Sequence, residues 1–159
     1  MKVSVIMGSI SDKPIGDKVI QVLEDFGVDH ELRVISAHRT PFVAKEFAEK
    51  AEENGTEVIV AIAGKAAHLA GVLAGLSPLP VVGIPAKSST MDGLDSLLSV
   101  VQMPKGVPVA TVAIDGGENG GLLAVQILSV KYPELRDKFK EFKEKMAQDT
   151  IAADQQLNG

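Results

Sequence analysis

Short β-branched and aliphatic runs alternate with segments of helical period along almost the whole chain, and that alternation leaves few folds open. Val3 to Met7, Asp29 to Ile35, Val58 to Ile62, Val81 to Ile84 and Gly106 to Ile114 read as strands. Between the first two, Pro14 to Phe26 places Val19, Ile20, Leu23 and Phe26 on one helical face, and Gly27 stops it. Pro41 to Glu53 turns Val43, Phe47, Ala48 and Ala51 inward and ends at Asn54-Gly55. Ala67 to Leu76, Leu94 to Val101 and Leu122 to Val130 complete the alternation, the last after a glycine-rich loop from Asp115 to Gly121. The pattern predicts an α/β fold: a three-layer αβα sandwich on a flavodoxin-like, doubly wound parallel sheet. Residues 1–159 form one expected domain, with enough apolar content (45%) for a real core. Scarce aromatics and abundant Ala, Val, Leu, Ile and Gly suit helices packed closely on a sheet.

The carboxyl-terminal segment breaks the rhythm. From Pro133 to Leu157 the residues Leu135, Phe139, Phe142 and Met146 recur at helical spacing, a narrow apolar stripe on a charged helix. About 24 helical residues at ~1.5 Å each reach ~36 Å, the width of a small domain. Such a helix overhangs its own sheet, so we expect it to pack on a neighbouring subunit; the bland alternative is a frayed tail. Absence of cysteine removes disulfides and thiolate metal sites. A net charge of −5 opposes general nucleic-acid binding. With no signal-peptide pattern and no apolar run of membrane-spanning length, the expectation is a cytoplasmic protein with neither nucleic acid nor membrane as partner.

Three strand-to-helix junctions carry chemistry. In a parallel sheet these loops open on one edge, where ligands bind. Ser36-Ala37-His38-Arg39-Thr40-Pro41 brings an imidazole able to move protons near neutral pH, a fixed cation and two hydroxyls. Ser36 or Thr40 serves equally as a helix cap, and Arg39 pairs with a phosphate or only with a surface carboxylate. Gly8-Ser9-Ile10-Ser11-Asp12 lacks the dinucleotide and Walker spacings, yet offers hydroxyls and backbone N–H groups at a helix start, suited to one phosphate. Asp12 fits a ribose diol or a helix cap. Ala63-Gly64-Lys65-Ala66-Ala67-His68-Leu69 is nearly free of bulk, which suits either a small dry pocket or tight helix–sheet packing. His68 orients a substrate group or satisfies a backbone partner. Lys65 and Lys87 are loop cations near the cleft or simply solvated, and Gln102-Met103-Pro104 is a rim element or a helix stop. His30, at the far end of its strand, receives no role.

Together with Ala66-Ala67-His68-Leu69, Gly93-Leu94-Asp95-Ser96-Leu97 and Val101-Gln102-Met103-Pro104-Lys105-Gly106-Val107-Pro108-Val109-Ala110-Thr111, these blocks closely resemble the N5-carboxyaminoimidazole ribonucleotide mutases, the class I enzymes of de novo purine biosynthesis. The resemblance runs in order over nearly the whole chain. It implies an octamer with sites at subunit contacts, a nucleotide substrate, and neither metal nor organic cofactor. Carried over by position, it assigns Ser9, Ser11 and Arg39 to the phosphate and Asp12 to the ribose. Ser36, Ala37, Gly64 and Leu69 fall around the imidazole base, with Ala66 beside them. His38 matches the general acid/base, and His68 lies beside the carboxylate pocket.

Two positions depart from the class I pattern: Lys65 stands where glycine is usual, and Ala70 where proline is usual. A basic residue at Lys65 is similar to class II relatives, which carboxylate aminoimidazole ribonucleotide directly with CO2. Those relatives carry a Ser-Asn-Ala type sequence where this chain has Ala66-Ala67-His68, which favours class I. A flavodoxin-like binding module without enzymatic activity is the reading from another class. A phosphoryl receiver would want an aspartate where Ala63-Gly64 ends strand three, and a flavin site would want stacking aromatics near the loops, whereas the one tyrosine is Tyr132.

Overall fold

Five parallel strands, β1 (Lys2–Met7), β2 (Asp29–Val34), β3 (Val58–Gly64), β4 (Val81–Ala86) and β5 (Ala110–Thr111), form one sheet in the order β2-β1-β3-β4-β5. The computed structural model describes residues 1–158. Met7 is opposite both Val34 and Ile62, so β1, β2 and β3 deliver their following loops at the same level. Gly64 aligns with Ala86, which brings the loop after β4 to that edge too. The strand order reverses direction between β1 and β3, the switch point at which such sheets leave a crevice.

The faces of the sheet are sorted by residue parity. Val3, Val5 and Met7 of β1 and Val58, Val60 and Ile62 of β3 point to one layer, with Val19, Leu23 and Phe26 of α1 (Lys13–Phe26) and Ala124, Val125 and Leu128 of α5 (Gly117–Leu128). Ile6, Ile59 and Ala61 point the other way. There they meet Ala44, Phe47 and Ala48 of α2 (Pro41–Lys50), Leu69, Ala70 and Leu73 of α3 (Leu69–Leu76), and Val100 of α4 (Leu94–Val101). Alternate strand residues face opposite layers because successive side chains leave a strand on opposite sides. Each fully buried Val, Leu or Ile removes enough apolar surface from water to contribute roughly 2 kcal/mol before chain entropy is subtracted. The three-layer sandwich is as the alternation predicts.

The glycine-rich segment is not the loop that its composition suggests. Helix α5 begins at Gly117 and contains Gly120 and Gly121. A Cβ on Gly117 would stand 2.5 Å from the Ile15 carbonyl oxygen, and one on Gly121 would stand 2.9 Å from Val22 Cβ, both on α1. A Cβ on Gly120 would stand 2.3 Å from Ile84 Cδ1 of the sheet. Close approach to α1 and β4 therefore overrides the poor intrinsic helix propensity of glycine. The predicted fifth strand shrinks to Ala110–Thr111, paired with Val82 and Gly83.

Helix α6 (Pro133–Asn158) is as long as its stripe predicts. Leu135 is fully buried, and Phe139 and Phe142 stack about Phe26 with ring centroids 5.9 and 6.0 Å away. Beyond them Met146, Ile151 and Leu157 are exposed. No helix among the described residues is long and apolar enough to cross a membrane.

Candidate active site

At the carboxyl edge of the sheet a cleft of about 630 Å³ opens over the switch point. Gly8, Ser9, Ser11 and Asp12 line it from the loop after β1, Ser36 to Arg39 from the loop after β2, and Ala63 to Ala66 with Leu69 from the end of β3 and the loop beyond. The three junctions singled out in the sequence thus converge. Lys87, Ser88 and Ser89 close a fourth side. The sequence marks Lys87 as a loop cation near the cleft or simply solvated and does not single out Ser88 or Ser89, although the rule that picks the other three junctions applies to the loop after β4 as well.

Local hydrogen bonds fix the walls. The Ser9 hydroxyl accepts the Ser11 amide at 3.3 Å and lies 2.9 Å from the Ser11 hydroxyl, while Asp12 Oδ2 accepts the Ser9 amide at 3.1 Å. This reciprocal box holds a 3-10 turn (Ile10–Asp12) ahead of α1 and leaves two hydroxyls side by side at the cleft. Asp12 is therefore a capping residue that also faces the cleft. Burial pushes its carboxyl above the ordinary value; the Ser9 amide, the Ser11 hydroxyl and Arg39 oppose this, and the Asp115 charge adds to it.

Arg39 spans two junctions. Its guanidinium donates to the Gly8 carbonyl at 3.0 Å, and its Nε donates to the Ser36 hydroxyl at 3.3 Å. Among the described residues it makes no surface ion pair, so a cation is fastened beside Ser9 and Ser11. Thr40 does not cap its helix with its side chain. Its hydroxyl donates to the Ser36 carbonyl at 2.9 Å and lies 3.0 Å from the Ser36 amide, which clasps the loop that presents His38.

His38 Nε2 lies 3.0 Å from His68 Nδ1, the rings meeting edge to face at 82°. One ring nitrogen carries the proton of that contact and the other accepts it. His68 is not part of the cleft wall; it reaches the site only through His38. Every other candidate (Ser9, Ser11, Asp12, Ser36, Ala37, Arg39, Gly64, Ala66, Leu69 and His38) lines the cleft. Gln102 caps α4 by donating its amide to Leu98, and Met103 covers Gly71, so that segment is a helix stop and a packing element. The His30 ring lies near the Val28 carbonyl and the Glu24 carboxylate at the opposite edge of the sheet, away from the cleft. Among the described residues no three His, Asp or Glu side chains cluster as a metal site would require.

A family model described as AIR carboxylase matches residues 2–149. The chain belongs to the AIR carboxylase family. It is 60% identical to the N5-carboxyaminoimidazole ribonucleotide mutase of Pyrococcus abyssi over 91% of this chain and 83% of that one. To the protein of the same name from Thermotoga maritima it is 53% identical, over 98% of this chain and 91% of the other. The crystal structure of Treponema denticola PurE superposes with a TM-score of 0.91 at 29% identity and covers 99% of both chains. In this family member the converging loops place hydroxyls and a fastened guanidinium on the β1–β2 side, an imidazole above the switch point, and walls of alanine and glycine at β3.

Proposed function

We propose that this chain is an N5-carboxyaminoimidazole ribonucleotide mutase, as relatives 60% and 53% identical to it are named. The single observation that carries the reading is an imidazole, His38, set over a cleft whose one end is built for a phosphate and whose other wall has almost no side-chain bulk. Ser9, Ser11 and Arg39 hold the phosphate, Asp12 the ribose diol, and Ser36, Ala37, Gly64, Ala66 and Leu69 surround the imidazole base. The substrate carries a carbamate on its exocyclic nitrogen. Protonating that nitrogen lets its bond to the carboxyl carbon break, releasing CO2 and aminoimidazole ribonucleotide. The C4 carbon then attacks the retained CO2, and loss of the C4 proton restores aromaticity. His38 gives the first proton and takes the last, so the reaction consumes none. The small-residue walls exclude water and keep CO2 beside the ring.

The test is a substrate comparison without ATP: the carbamate against aminoimidazole ribonucleotide with bicarbonate. Efficient turnover of the carbamate alone is expected; preferential carboxylation of aminoimidazole ribonucleotide would assign the direct carboxylase activity instead.

Asp12 separates binding from stability. A carboxyl whose folded pKa is raised holds its proton more tightly in the native state, so stability falls as pH rises through the window just above the ordinary value of 3.8. The ionised side chain is thus a burden at neutral pH that ligand binding justifies. Asp12→Asn keeps an acceptor for the Ser9 amide, and its melting temperature at pH 7 is expected to equal or exceed wild type. Its KM for the nucleotide is expected to rise several-fold. Lower melting with unchanged KM would reduce Asp12 to a cap.

Assembly follows from what the monomer leaves bare. Leu94, Leu98 and Val101 of α4, with Met91 in the turn before it, form an exposed apolar stripe, and Met146, Ile151 and Leu157 continue α6 beyond its own core. Both surfaces support a homo-oligomer, which we take to be the octamer that the family resemblance implies. Light scattering at micromolar concentration is expected to return a mass several times 16.7 kDa, and Leu98→Glu to shift it towards the monomer. A monomeric wild type would defeat this.

A further inference from the structure

Three cations line the cleft: Arg39, Lys65 and Lys87. Arg39 is fastened to the Gly8 carbonyl and the Ser36 hydroxyl, at the end where the hydroxyls of Ser9 and Ser11 lie. Lys87 Nζ is paired with Asp92 at 3.2 Å. Lys65 has no carboxylate within ion-pair distance among the described residues, yet it is held in a conformation that lysine disfavours, with φ +56°. Glycine adopts that backbone freely, whereas a side chain there is strained, and such strain persists where function requires it. The surrounding turn fixes the geometry: the Ala67 amide donates to the Lys65 carbonyl at 2.8 Å, and the His68 amide to the Ala66 carbonyl at 2.8 Å.

The position of Lys65 gives the strain a purpose. It follows β3, whereas the phosphate-side residues follow β1 and β2, and the register places all three loops at one level. A nucleotide anchored by its phosphate on the β1–β2 side therefore extends its heterocycle towards β3. Substrate and product each carry a second anion on that heterocycle, and the decarboxylated intermediate does not. We propose that Lys65 is a specificity-determining residue whose ammonium recognises the carboxyl group of the carboxylated nucleotides and so distinguishes them from the decarboxylated one. This rests on the nucleotide reading of the cleft given above.

The test is calorimetric titration of the full chain with 4-carboxy-5-aminoimidazole ribonucleotide and with 5-aminoimidazole ribonucleotide, for wild type, Lys65→Met, Lys65→Arg and Lys65→Gly. Lys65→Met and Lys65→Gly are expected to weaken the carboxylated ligand by about tenfold and the decarboxylated one by less than about twofold, since a charge-assisted contact is lost from one ligand only. Lys65→Arg should retain the discrimination. Lys65→Gly should also melt at a higher temperature than wild type, which rules out damage to the fold as the cause of weaker binding. Equal weakening of both ligands, or no loss for the carboxylated one, overturns the assignment of Lys65. Failure of the wild type to bind either nucleotide overturns the reading of the cleft itself, and the Lys65 role with it.

Discussion

Replacing His38 by asparagine is expected to lower kcat by about a thousandfold or more while nucleotide affinity stays within a few-fold of wild type. Positioned acid–base groups contribute roughly 10²- to 10⁴-fold, and in the proposed reaction one ring serves both the protonation of the exocyclic nitrogen and the deprotonation of C4. Asparagine can fill the space and keep a polar contact with His68 Nδ1, which lies 3.0 Å from His38 Nε2 in the wild type. It cannot carry a proton between two atoms. Binding is expected to survive because Ser9, Ser11 and Arg39, the residues proposed to hold the phosphate, are held by bonds that do not pass through the imidazole. Turnover and titration with the product nucleotide check the two halves separately. A variant with near-normal kcat would remove His38 from the chemistry; one with normal folding but no affinity would make it a binding residue.

The second large effect is on stability. Gly117→Ala should destabilise the protein by about 2–3 kcal/mol and lower Tm by roughly 5–10 °C, as overpacking of a closely packed contact does in a chain of this size. The new Cβ would stand 2.5 Å from the Ile15 carbonyl oxygen and 2.9 Å from Lys18 Cβ, and a backbone oxygen cannot swing away as a side-chain end can. Helix α5 would have to lift from α1, opening the layer that contains Val19, Leu23 and Val125. Gly75→Ala in α3 is the control. Its Cβ would meet only Val107 Cγ1, at 3.9 Å, so the gain in helix propensity should leave stability equal or raised by up to about 1 kcal/mol. Thermal unfolding of both variants measures the contrast; similar losses at both positions would show that the α1–α5 contact yields easily.

The contrast between these two glycines also shows what local propensity leaves out. Gly117, Gly120 and Gly121 look like loop by composition, because propensity counts only what a residue does to its own backbone. Their helical state depends on Ile15, Val22 and Ile84, residues distant in sequence that press against them. The fifth strand fails for a related reason: of Gly106 to Ile114, only Ala110 and Thr111 pair in register as a strand, with Val82 and Gly83 of β4, and Val112 adds one amide bond to the Gly83 carbonyl. Thr40 and Ser36 look like helix caps, and only the folded loop turns their groups on each other.

Periodicity carried what is local or repeated: the strand–helix alternation, the parallel sheet that alternation demands, the length of the last helix, and the three junctions that converge on the cleft. Those follow from hydrophobic spacing and chain direction, which a single chain of letters contains. Tertiary structure alone decided which charges are already spoken for. Arg39 is fastened across to Gly8, Lys87 is paired with Asp92, and Lys65 is left facing the cleft in a strained backbone. Pairing energies depend on distances between atoms, and distances across the sheet edge exist only once the strands have taken their order.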